Sequence, residues 1–195
     1  MLNARYSYAG GKIISELMTL NYGRQYLGRV VIFRPHNVFG PDMGSEHVIP
    51  ELALRMSSIE VTSRTVDFPI QGDGRDSRAF IYLDDFIEGL IRVVENGRHM
   101  EIYNIGTTDE RTISDVARQI AAIFELKIKF VPGGVALGGT KRRCPSIEKI
   151  RELGFAPRWK FEDALRITVD WYRQHANDRS VSAARAATLF IPELQ

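Results

Sequence analysis

The stretch RVVIFRPHNVFGP, residues 29–41, decides the fold. Its first part, Arg29-Val30-Val31-Ile32-Phe33, is a short and almost uninterrupted apolar run rich in β-branched residues. Such a run predicts a strand covered on both faces within a parallel sheet, because a strand with one wet face would alternate apolar and polar positions. Pro35, Gly40 and Pro41 then break it. Ligands in open α/β sheets gather at the C-terminal ends of strands, so the turn after Phe33 is a place for chemistry. Turn preferences by themselves account for Pro35, Gly40 and Pro41, with Asn37 bonding its own backbone.

Upstream, residues 8–22 carry Ile13, Ile14, Leu17, Met18 and Leu20 at near-helical spacing, with an end near Gly23. Tyr8 and Lys12 lie four residues apart and share a face of that helix. A phenol beside an ammonium can act as a base near neutral pH. Tyr-x-x-x-Lys alone is a weak signal, since both residue types are common on solvated helix surfaces.

Downstream, 48–56 reads as a helix, Phe68-Pro69-Ile70 as a strand, Gly72-Asp73-Gly74 as a hairpin turn, 79–83 as a strand and 84–96 as a helix. Residues 102–105 form a further strand, and Thr112 with Asp115 resembles a capping box opening a helix with Val116, Ile120 and Ile123. A strand over 127–131, a glycine-rich loop over 133–139, a short helix capped by Ser146 and running to Leu153, and an amphipathic helix over 161–175 follow. Residues 177–195 look like an appended tail. Strands alternate with helices throughout, so the class is α/β, with no internal repeat.

The 195 residues suffice for one substantial domain or could stretch to two small ones. The balance of 26 Lys and Arg against 24 Asp and Glu gives a net charge of +2, with the positive residues scattered, so nucleic acid is not an expected partner. The single cysteine, Cys144, cannot form an internal disulfide and has no Cys or His neighbours at zinc-site spacing. No metal site is expected, and a reducing compartment fits. No apolar run approaches the roughly 18 residues of a membrane helix, and the N-terminus lacks a signal-peptide pattern; the expectation is a cytoplasmic protein with no membrane partner.

Gly72-Asp73-Gly74-Arg75-Asp76-Ser77 has the look of a phosphate loop, but a strand follows it where a helix should, so the dinucleotide fingerprint is rejected. Arg78, just beyond, can hold an anion with its planar fork. Arg142 and Arg143, between the glycine-rich loop and Ser146, are a second candidate clamp. Asp84 and Asp85 at a helix start are explained by the helix dipole and receive no chemistry.

Taken in order, Tyr8-Ala9-Gly10-Gly11-Lys12, Arg34-Pro35-His36-Asn37-Val38-Phe39-Gly40-Pro41, Gly72-Asp73-Gly74 through Arg78 to Asp85, Tyr103-Asn104-Ile105-Gly106, and Arg142-Arg143-Cys144-Pro145-Ser146-Ile147 with Leu153-Gly154-Phe155 resemble the extended short-chain dehydrogenases/reductases. These are the NAD-dependent epimerases and dehydratases of nucleotide sugars, and the resemblance runs from Tyr6 to about His175. It implies the C-terminal part of a Rossmann-like parallel sheet plus a small α/β substrate-binding region. Residues 1–45 would end the catalytic domain and 46–176 would mainly bind substrate, with strand 102–105 and its neighbouring helix returning to the Rossmann sheet.

The resemblance also implies roles. Tyr8 is the general base that takes a proton from a sugar hydroxyl as hydride leaves for NAD. Lys12 lowers the tyrosine's pKa and holds the nicotinamide ribose, and His36 joins them in cofactor binding. Asn37 and His47 touch the nucleotide sugar, although His is not the family's usual choice at that position. Arg78 and Arg143 grip the diphosphate, as two guanidinium forks can. Ser146 stands where relatives often carry aspartate, a departure that affects local capping.

In that family the Tyr-Lys pair lies past the middle of the chain, behind a dinucleotide-binding half. Here no Gly-x-x-Gly-x-x-Gly occurs. The expectation is a fragment of a nucleotide-sugar epimerase, or of a dehydratase or decarboxylase, without turnover of its own. The alternatives are a nucleotide-sugar binding or interaction module that needs a partner chain, and a non-functional gene fragment. A strand that has lost its neighbours leaves an open edge, so homo-oligomerisation or edge pairing is expected.

Overall fold

The strand announced by the opening stretch is β1 (Val31–Pro35) in a computed structural model that describes residues 4–62, 64–134 and 139–176. It follows α1 (Ala4–Tyr26) and leads into β2 (Val38–Phe39) and α2 (Val48–Ser57). The chain continues through β3 (Val66–Ile70), β4 (Ser77–Ala79), β5 (Ile81–Tyr82), α3 (Leu83–Asn96), β6 (Glu101–Ile105) and β7 (Glu110–Thr112). It ends in α4 (Ile113–Ile123), β8 (Ile128–Pro132), β9 (Arg142–Arg143), α5 (Glu148–Arg151) and α6 (Phe161–His175). The expected tail over 177–195 and part of the glycine-rich loop lie outside the described residues.

Pairing is mostly parallel, as the β-branched runs require. β1 pairs with β6, β2 with β5 and β3 with β8, all parallel, while β4 is antiparallel to β7 and parallel to β9. Two apolar clusters flank the short β2–β5 pair. The larger joins α2, α4 and α6 to β3 through Leu52, Ile120, Leu165 and Phe68; the smaller joins α3, α5 and β6 through Val93, Ile150 and Tyr103. No described helix is long and apolar enough to cross a membrane.

Several expectations need correction. β1 is not covered on both faces, since Phe33 is 42 % exposed and Arg34 and Pro35 are exposed too; separately, its pairing among the described residues is with β6 alone. α3 supplies one covering layer, its Phe86 ring 6.3 Å from that of Phe33, whereas α1 reaches the strand through the Glu16–Arg34 ion pair. α1 itself starts before residue 8 and runs past Gly23 to Tyr26. The helix runs through Gly23, whose bare Cα lets Val30 approach; a Cβ there would fall 2.5 Å from Val30 Cγ2.

The single strand expected over 79–83 is two strands in two sheets, and Asn37 is the reason. At φ +44° its amide Nδ2–H donates to the Ala79 carbonyl at 2.9 Å while its own carbonyl accepts from Ile81 N–H, so the chain changes sheets at Phe80. Asn37 therefore ties together two distant segments and does not bond its own backbone. The glycine turn is present, with Gly72 and Gly74 at φ +61° and +72°, but it is not a hairpin: β3 and β4 belong to different sheets. Thr112 does cap α4, accepting from Asp115 N–H at 3.1 Å and donating its hydroxyl to the Asp115 carboxylate at 2.6 Å. Ser146 is not the N-cap of α5; Ile147 holds that position, and the Ser146 hydroxyl meets Glu148 N–H only at 3.5 Å.

Candidate functional site

The C-terminal ends of β3 and β8 and the segment from Asn37 to Phe39 open onto one cleft of about 1400 Å³. Six of the residues singled out from the sequence line it: Tyr8 and Lys12 from α1, Asn37 from the β1–β2 turn, His47 at the start of α2, Arg78 from β4 and Arg143 from β9. Residues 8 and 143 are brought to one cleft only by the tertiary fold, since α1 opens the chain and β9 comes more than a hundred residues later.

One helical turn separates Tyr8 and Lys12, and the Lys12 ammonium sits 5.5 Å from the centre of the Tyr8 ring. Between them, a Cβ at Gly10 or Gly11 would meet nothing within 4 Å. His47 takes the N-cap position of α2 in an extended conformation but its ring does not cap the helix. That leaves the imidazole available to the cleft.

The two arginines are register partners on adjacent parallel strands, Arg78 opposite Arg143. Paired positions on neighbouring strands project to the same face about 5 Å apart, so two guanidinium groups share one stretch of wall. Arg78 is only 14 % exposed, donating to the Ser77 and Lys141 carbonyls and lying 3.5 Å from Asp76. Burial first, and then the positive charge of Arg143, push its pKa down despite Asp76. Like charges held together in this way are relieved by an anion between them. The walls are not uniformly basic, because Glu46, Asp73 and Asp76 also face the cleft.

The Arg142-Arg143 clamp is half of what the sequence suggested. Strand alternation turns Arg142 away from the cleft, where it donates to Glu110 on β7 at 3.0 Å and reinforces the β7–β4–β9 sheet. His36 also lies off the cleft: its Nε2 is 3.1 Å from the Asn104 amide oxygen across the β1–β6 pair. The structure thus separates His36 from the other candidates.

Sequence reasoning passed over Asp85. This carboxylate is 4 % exposed and accepts the backbone N–H groups of Arg158 and Trp159 at 3.0–3.1 Å. It pins the segment ahead of α6, and the partners lie 73 and 74 residues away, so nothing local announced them.

The model of the NAD dependent epimerase/dehydratase family matches residues 1–106. The trifunctional UDP-glucose 4,6-dehydratase/UDP-4-keto-6-deoxy-D-glucose 3,5-epimerase/UDP-4-keto-L-rhamnose-reductase of Arabidopsis thaliana is 34% identical over 172 residues, which cover 86% of this chain and 24% of that protein. UDP-N-acetyl-alpha-D-glucosaminuronate decarboxylase of Bacillus cytotoxicus is 32% identical over 186 residues, covering 89% of this chain and 55% of its own. The crystal structure of dTDP-glucose 4,6-dehydratase from Streptomyces venezuelae, with NAD bound, matches at a TM-score of 0.74 and 32% identity over 86% of this chain and 51% of that one. The chain spans between about a quarter and about half the length of these relatives. The fold is accordingly Rossmann-like α/β. With more than half of its residues inside the family match, the chain belongs to the NAD-dependent epimerase/dehydratase family.

Proposed function

We propose that this chain holds a nucleoside diphosphate sugar in the cleft, with Arg78 and Arg143 on the diphosphate and the sugar ring toward Tyr8 and Lys12. The observation that carries the reading is the register pairing of the two arginines on β4 and β9 at the cleft wall. Each guanidinium offers a planar pair of donors to phosphate oxygens, and the repulsion between the two cations favours an anion between them. Asn37 and His47 line the same cleft and add polar groups to it.

In the family the bound NAD supplies the hydride acceptor for oxidation at the sugar ring. The residues of this chain fit one end of that cofactor. A phenol and an ammonium one turn apart suit a ribose and its neighbouring ring, and Tyr8 Oη is the atom that would take the sugar hydroxyl's proton. The pyrophosphate needs a helix N-terminus that opens directly after a strand. Among the described residues the two such junctions are unsuited: α3 opens with Asp84 and the buried Asp85, and α4 is closed by Thr112 and Asp115. The described residues alone therefore suit the nucleotide sugar better than the dinucleotide's pyrophosphate. The exposed apolar residues of α1, including Ile13, Leu17 and Met18, and the second edge of β1 favour association of copies or partners.

Calorimetric titration of the purified chain with UDP-glucose, dTDP-glucose, GDP-mannose and NAD, each separately, tests the reading. A nucleotide sugar should bind and NAD should not. A hydrogen bond to a charged group is worth about 1.5–3 kcal/mol, so Arg78→Ala and Arg143→Ala should each weaken binding by about 10- to 150-fold. Unchanged affinity in both variants, or binding of NAD alone, overturns it.

A further inference from the structure

The wall of the cleft that carries Met43, Glu46 and His47 is a loop with little support of its own. Asp42 and Gly44 both sit in the left-handed region, at φ +54° and +83°, and within the loop Gly40 N–H reaches only the Met43 sulfur at 3.4 Å. Ser45 is 5 % exposed with its hydroxyl unpaired, a burial that costs free energy and that something else must offset. The support comes from 128 residues away. Tyr172 on α6 accepts the Met43 N–H at 2.9 Å and donates its own hydroxyl proton to the Gly44 carbonyl at 2.8 Å. A hydroxyl is suited to this because it donates and accepts through one atom. The Tyr172 ring is 1 % exposed and packs edge-on against Trp171, so the oxygen is held from behind by the core. Burial raises the phenol's pKa, which keeps the donated proton in place.

We infer that Tyr172 is a positioning residue for the nucleotide-sugar cleft, its hydroxyl fixing the loop from Met43 to His47 so that the entry to α2 forms a preset wall. The inference rests on the proposed function for its ligand, but the clamp itself does not.

Tyr172→Phe keeps the ring and deletes both bonds. Thr168→Val, one turn earlier on α6, deletes the buried Thr168 bond to the Ala164 carbonyl, leaves both Tyr172 bonds to the loop in place and serves as the control. In Tyr172→Phe, amide hydrogen exchange over residues 42–48 should rise about tenfold and the Kd for UDP-glucose, or whichever nucleotide sugar binds best, should rise about tenfold. Thr168→Val should move neither. Unchanged loop exchange in Tyr172→Phe, or faster exchange with unchanged Kd, overturns the inference. If the unmodified chain binds no nucleotide sugar, the proposed function fails and loop exchange alone decides the clamp. Should Tyr172→Phe not fold, NMR of the Tyr172 hydroxyl proton in the unmodified protein decides instead: slow exchange with water supports the clamp and rapid exchange overturns it.

Discussion

Removing the Asp85 carboxylate should cost this protein a large part of its stability. Its two oxygens accept two backbone amides, Arg158 N–H at 3.0 and 3.1 Å and Trp159 N–H at 3.0 Å. Hydrogen bonds to a charged acceptor contribute about 1.5–3 kcal/mol each, which bounds the pair at about 3–6 kcal/mol. Arg158 and Trp159 are themselves exposed, so water can reach the freed amides and the lower end applies. Loss of an acid from the first turn of α3 adds about 0.3–1 kcal/mol. Asp85→Ala should therefore lower unfolding free energy by about 3 kcal/mol, a large fraction of the 5–15 kcal/mol typical of a domain. With a urea slope of about 2 kcal/mol/M the midpoint moves down by about 1.5 M. Asp85→Asn keeps one acceptor oxygen and should lose about half as much. The segment released leads into Phe161, whose ring lies 5.5 Å from that of Phe39, so near-ultraviolet circular dichroism should weaken with the stability. A loss under about 1 kcal/mol for Asp85→Ala would refute the claim that this carboxylate fastens the approach to α6.

Three further outcomes can be measured on the same protein. Gly89→Ala would place a Cβ 2.7 Å from Ile105 Cγ2 and 3.1 Å from Phe155 Cε2, so chemical denaturation should show a loss of about 1–3 kcal/mol from overpacking α3 against β6. Thr112→Val removes the cap of α4 and should cost about 1 kcal/mol, with Thr112→Ser restoring most of it. The Ser77 hydroxyl, then the Arg142 guanidinium, hold the Glu110 carboxyl below its ordinary range. A depressed folded pKa gives stability that is present above the unfolded value of about 4.3 and lost as pH falls through the folded one. The urea midpoint of Glu110→Gln should therefore fall less steeply than that of the unmodified protein as pH drops below about 4.3; parallel curves would deny the carboxylate its role in the β7–β4–β9 sheet.

What is legible in the sequence is what local spacing encodes. The helix over 161–175 can be read to its residues because Phe161, Ala164, Leu165, Thr168, Val169 and Tyr172 recur at the helical period and all become buried. Thr112 three residues before Asp115 announces a helix start through one short hydrogen bond. β-branched runs announce parallel strands, and the residue types of an anion site are visible as Arg78 and Arg143. Illegible are the features made by residues far apart in the chain. The split of 79–83 into two strands depends on Asn37, 42 residues upstream, and the partner that holds Arg142 once alternation has turned it away is Glu110 across the sheet. Asp85 looks like an ordinary helix-dipole charge because its amide partners arrive from beyond α5.

By itself the sequence determined the α/β class, the identity of most helices and the motif order that marks the family, because each is written in periodicity or in short contiguous strings. Only the tertiary structure decided that Tyr8, Lys12, Asn37, His47, Arg78 and Arg143 share one cleft while His36 stands apart bonded to Asn104. It also decided that Tyr172 hangs the wall of that cleft from α6. The physical reason is that a hydrogen bond or an ion pair depends on distance in space, and the chain must be folded before residues more than a hundred positions apart acquire one.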